Sequence, residues 1–114
     1  MKKLSFVLTL VVIIGFAACT KKASPGKPVV HTTYNADIMP LMQAKCAPCH
    51  LPSKGGNKAS FETYESAKKY GADMLTRVMK NPGERGFMPF KHDKLPETEI
   101  AIIKSWVDQG LLEK

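Results

Sequence analysis

Strand patterning is missing from this chain. No run of useful length alternates apolar with polar residues, and no segment repeats at a fixed period. A sheet-based domain and a repeat array are therefore excluded from the reading. Length sets a second bound, because 114 residues allow one small domain at most. No apolar run is long enough for a typical membrane span. The longest, Leu4 to Ala18, covers about 15 residues where roughly 20 are needed. Cysteine is scarce, at three residues, and Cys46 and Cys49 have no second pair to join them. A structural zinc site on this pair needs two further ligands, only His31 and His92 remain, and the reading is disfavoured. A thioredoxin-like thiol site is disfavoured too, since it should follow a buried strand in a βαβ setting.

What is present begins with a leader. Met1-Lys2-Lys3 is a short basic start, Leu4 to Ala18 is apolar apart from Ser5, Thr9 and Gly15, and small residues close it. This is the pattern of a secretory signal, expected over residues 1–18. An odd cysteine count in an exported chain asks what the remaining thiol does. Cys19 follows Phe16-Ala17-Ala18 directly, which resembles a bacterial lipobox with Phe where Leu is usual. The resemblance implies that Cys19 is lipidated as the first residue of the mature chain and anchors it to a membrane. Several acyl chains hold stably where one would not, at about 0.8 kcal/mol per buried methylene. Residues 19–33 carry Lys21-Lys22, Ser24-Pro25-Gly26 and Lys27-Pro28 without periodicity, and read as a flexible tether.

Residues 34–114 form the expected domain, about 80 residues with limited apolar area to bury. Its pattern is helical throughout, so the fold class is all-α. Thr33 or Asn35 could start the first helix, with Ile38, Leu41 and Met42 on one face; Asp37 as the N-cap would place Pro40 in the opening turn. Thr63 to Tyr70 predicts a short helix closed by Gly71, and Ala72 to Met79 another, with Leu75, Val78 and Met79 on a face. Asn81-Pro82-Gly83 stops that second helix. Pro96, Glu97 and Glu99 open a last helix with an apolar stripe of Ile100, Ile103, Trp106 and Val107. Gly110 is placed to cap it and Leu111 to pack back.

Cys46-Ala47-Pro48-Cys49-His50 is a Cys-x-x-Cys-His motif, which reads as covalent attachment of one haem c. The two thiols would form thioethers with the haem vinyl groups, and the adjoining His would ligate the iron. A large apolar cofactor also fills the middle of a domain this small.

The run from Ile38-Met39-Pro40 through His50 resembles the front of class I cytochromes c. Leu95-Pro96-Glu97-Thr98-Glu99-Ile100 through Trp106-Val107-Asp108-Gln109-Gly110 resembles their C-terminal helix. Nearly all of residues 34–112 take part. The resemblance implies a class I cytochrome c fold, with three to four short helices around one haem and the first and last helices crossing beside it. It also implies a second axial ligand from a methionine in the loop before the last helix, which matches Met88-Pro89. Met39 and Met42 precede the motif, and Met74 and Met79 lie on an expected helix, where packing is the usual role. His92 is the alternative second ligand.

A His/Met pair raises the reduction potential relative to bis-His and fills the sixth position. The expected function is one-electron transfer in a respiratory or periplasmic chain, without enzymatic activity. The alternative is a haem enzyme or gas sensor with an open or labile sixth position, for which His92 and Asp93 are the nearest acid/base pair. Formal charge is +7, or +5 for residues 19–114. Lys45 to Lys94 holds ten basic and five acidic residues. Such a surface could steer an acidic redox partner, against the plainer reading of a solvated face. An exported, tethered chain leaves nucleic acid out as a partner, and the membrane enters through the lipid anchor.

Overall fold

The computed structural model describes residues 29–114. The leader, Cys19 and residues 20–28 of the expected tether lie outside the described residues. Three α-helices and no strand occur among the described residues: α1 (Met39–Lys45), α2 (Tyr64–Met79) and α3 (Glu97–Asp108). The all-α expectation holds.

The first element begins at Thr33, the earlier of the two expected starts, and Asp37 does not cap it. Thr33, not Asp37, is the N-cap: its hydroxyl accepts from the Ala36 N–H at 3.3 Å. Asp37 answers from inside the turn, its carboxylate accepting from the Thr33 N–H at 2.8 Å. Both ends of the opening turn are thereby satisfied, in the manner of a capping box. Tyr34–Ile38 forms a wide π turn that runs into α1, with the Met39 N–H donating to the Tyr34 carbonyl. Pro40 lies in the first turn of α1. Its missing N–H falls at the junction between wide and regular turns, where no ordinary helical bond is broken.

The two short helices expected around Gly71 are one helix, α2, of 16 residues. Thr63 and Ser66 build a reciprocal cap at its start. Gly71 is buried in its middle because α2 crosses α3 there. A Cβ on it would lie 2.5 Å from Leu111 Cδ2 and 3.3 Å from Trp106 Cζ3. The glycine makes room for a neighbour and does not terminate a helix. The buried face consequently differs from the expected one. Ala67, Gly71, Met74 and Val78 point inward, whereas Met79 is exposed.

α3 ends as the sequence suggests. The Leu111 N–H donates to the Trp106 carbonyl at 2.8 Å and the Gly110 N–H to Val107 at 3.1 Å, with Gly110 at φ 90°. This pair of bonds is a Schellman ending. The π turn packs on α3, and α3 on α2. One core joins Ile38 and Met42, Met74 and Val78, and Ile103 and Trp106. The N-terminal segment is stitched to this core from Thr32 onward. The Thr32 N–H donates to Gln109 Oε1 at 2.9 Å, and the Tyr34 N–H to the Leu112 carbonyl at 2.8 Å.

Candidate functional site: the Cys46–His50 turn

α1 delivers the motif. Cys46 caps the helix, its N–H donating to the Met42 carbonyl at 2.9 Å. Cys49 and His50 follow in a further turn, in which the His50 N–H donates to the Cys46 carbonyl at 3.0 Å. Helical progression thus sets the two thiols and the imidazole on one short, backbone-bonded segment. Both thiols are free, with Cys46 half-buried and Cys49 exposed. Burial pushes the Cys46 thiol up to about 11.

His50 is held from two sides. Its Nδ1 lies 2.7 Å from the Ala59 carbonyl oxygen. A carbonyl can only accept, so Nδ1 carries the proton and donates. In the neutral ring the lone pair then sits on Nε2, the nitrogen left for a metal. The Phe61 ring stacks on the imidazole at 4.3 Å, with 4° between planes. Phe61 also donates its N–H to the His50 carbonyl at 2.9 Å.

These holding groups come from the loop over residues 51–62, which folds back over the motif. Leu51 is buried, and a 3-10 turn at Pro52–Lys54 leads into Gly55 at φ 85°. Ser53 donates from its N–H to Glu62 Oε2 at 3.0 Å and from its hydroxyl to Oε1, closing the loop. Those two hydrogen bonds, helped by the charge of Lys54, hold the Glu62 carboxyl below the usual range. Tyr34 Oη donates to the Phe61 carbonyl at 2.8 Å, tying the loop to the core. Burial, with a smaller contribution from Glu62, raises the Tyr34 hydroxyl above its ordinary value.

Met88 lies between α2 and α3, half-buried and packed against the same core as Cys46 and Ala47. Its N–H donates to the Arg77 carbonyl at 3.2 Å, near the end of α2. His92, the alternative ligand, is exposed. A cavity of about 400 Å³ lies beside these segments, and Cys46, Cys49, His50 and Met88 are not among its lining residues. Ala44, Lys45 and Ala47 line one side, and Pro89 and His92 to Pro96 the other. Lys45 also joins Glu99 in the first turn of α3 at 3.0 Å. Among the described residues, no three His, Cys, Asp or Glu side chains come together as a metal-binding cluster.

The donor set fits a covalently attached haem: two free thiols three residues apart, then an imidazole with Nε2 available. Sequence reasoning missed Ala59, Phe61 and Gly56 as parts of the site. A backbone carbonyl has no residue signature, so Ala59 offered no signal. The adjacent Gly55-Gly56 pair suits any loop, and its composition alone does not announce a close backbone approach. Comparison of the chain with family models, curated proteins and solved structures finds no match.

Proposed function

We propose that this chain is a class I c-type cytochrome that carries one electron at a time. Cys46 and Cys49 would hold one haem c as thioethers, His50 would ligate its iron through Nε2, and Met88 would supply the second axial ligand. The observation that carries this reading is the 2.7 Å hydrogen bond from His50 Nδ1 to the Ala59 carbonyl. It fixes the tautomer a ligating imidazole needs, on the residue the motif nominates. When bound, the haem supplies ferric/ferrous one-electron chemistry.

The protein's own residues orient and shield. The Ala59 carbonyl and the Phe61 ring fix the imidazole plane. The buried side chains of α1, α2 and α3 supply the apolar surround. Met88 is favoured over His92 because it is half-buried against that surround, whereas His92 is exposed. Met88, a soft thioether on a constrained loop, would hold the iron beside His50, favour its reduced state and leave no open place for a substrate. The chain is accordingly a carrier and not an enzyme. In this reading it is exported, and Cys19 carries lipid that anchors it to a bacterial membrane, facing the periplasm or cell exterior. Lys80, Arg85, Lys91 and Lys94 flank Met88 in sequence and suit an acidic redox partner.

Reductive titration of the purified protein tests this reading. It predicts reversible uptake of one electron per chain and no prompt binding of carbon monoxide by the reduced form. Immediate carbon monoxide uptake, or peroxide turnover lost in His92→Ala, would favour an open-site haem protein instead.

A further inference from the structure

Gly56 is where the loop lies hardest against the attachment turn. A Cβ on it would sit 2.2 Å from the Pro48 carbonyl oxygen, 2.6 Å from that of Cys49 and 2.8 Å from the Cys49 carbonyl carbon. All three are backbone atoms, so no side-chain rotation makes room. Gly56 does not occupy the left-handed region, so it is needed for proximity and not for conformation. Gly55 is the reverse case, with φ 85° and nothing within 4 Å of its Cβ position. The two neighbours therefore separate collision from backbone strain.

Three residues beyond Gly56 stands the Ala59 carbonyl, which accepts the hydrogen bond from His50 Nδ1–H. Between them, the Lys58 N–H donates to the Cys49 carbonyl at 3.1 Å. Relieving the 2.2 Å overlap to ordinary contact at 3.4 Å would displace the loop by about 1 Å. A similar displacement at Ala59 would stretch its 2.7 Å bond to His50 beyond hydrogen-bonding range. We propose that Gly56 is a positioning residue for His50: by letting the loop rest directly on the Pro48–Cys49 backbone, it brings the Ala59 carbonyl to Nδ1 and sets the orientation and donor strength of the imidazole. A firm Nδ1 hydrogen bond makes the ring a stronger donor to metal and favours oxidised iron. Loss of that bond raises the reduction potential.

The proposal rests on the haem reading, and its test separates the two. Full-length wild type, Gly56→Ala and Gly55→Asn are matured with haem and compared by reduction potential and by hydrogen exchange of the His50 Nδ1 proton. Gly56→Ala is expected to exchange at least ten-fold faster and to have a higher potential, with Gly55→Asn matching wild type in both. The proposal is overturned if Gly56→Ala loses stability yet keeps the wild-type potential and proton protection, or if Gly55→Asn shifts both readouts equally. Should Gly56→Ala not accumulate with haem, wild type alone decides. The Lys58 and Phe61 amides and the His50 Nδ1 proton should exchange through one common opening. Free exchange of those amides beside a protected Nδ1 proton would refute it. Wild type without covalent haem would instead defeat the functional reading.

Discussion

Gly71→Ala sets two effects of similar size against each other, and Leu111 decides the sign. Alanine in a helix interior is favoured over glycine by about 1 kcal/mol. At Gly71 the new Cβ meets Leu111 Cδ2 at 2.5 Å and Trp106 Cζ3 at 3.3 Å. Leu111 must turn its side chain aside and give up packing, because its backbone, at φ 61° with its N–H on the Trp106 carbonyl, does not move off as a whole. Overpacking of this kind costs about 1–3 kcal/mol. The net expectation is destabilisation of about 1 kcal/mol, taking the middle of that range against the propensity gain. In a Leu111→Ala background the main obstacle is gone, and the same substitution should stabilise by up to about 1 kcal/mol. Urea unfolding of the four proteins, followed by far-UV circular dichroism, closes the cycle with a coupling of roughly 2 kcal/mol. Stabilisation by Gly71→Ala in the parent, or additive effects within about 0.5 kcal/mol, would refute the crossing argument. A glycine acting as a helix terminator would also resist alanine, but without coupling to Leu111.

Two further predictions concern the core and the loop over the motif. Trp106 is fully buried, and its Nε1–H donates to the Leu112 carbonyl at 2.8 Å. Trp106→Phe leaves a cavity and removes one of the two donors to that carbonyl, which keeps the Tyr34 N–H, costing about 2–3 kcal/mol in all. Thermal unfolding should show a midpoint lower by roughly 10–20 °C. Glu62, whose carboxyl is held below its usual range by Ser53, contributes stability that is fully present above the ordinary glutamate value. That contribution is lost as pH falls through the depressed one. Unfolding measured down an acid series should therefore show a limb that Glu62→Gln flattens, and an unchanged limb would mean that the clasp adds nothing.

Local signals carried much of this structure. Ile38, Leu41 and Met42 were readable as a buried face, and α3 could be followed from Pro96 to its glycine ending, because helix periodicity and capping are short-range properties. The Cys-x-x-Cys-His spacing of residues 46–50 was visible for the same reason. What escaped depends on neighbours distant in sequence. Gly71 looks like a stop signal until Leu111 and Trp106 are known to press against it. Thr33, Asn35 and Asp37 all suit the opening of the first helix, and the choice among them follows from a wide turn that spacing alone does not announce. Around His50, the decisive partners are a backbone carbonyl at Ala59 and a close approach at Gly56. Neither leaves a mark on residue identity beyond a glycine that also suits a loop.

The central claim is that one haem is bonded to Cys46 and Cys49 and ligated by His50 and Met88. Optical spectra of the purified, lipid-free domain, produced in a host competent for haem attachment, test it most directly. Oxidised and reduced spectra are taken beside those of Met88→Ala. The account predicts c-type haem absorption that survives denaturation, and a weak iron–sulfur charge-transfer band in the oxidised protein that Met88→Ala abolishes. No covalent haem absorption would contradict the account as a whole, and a haem spectrum without that band in the wild type would remove Met88 as the ligand.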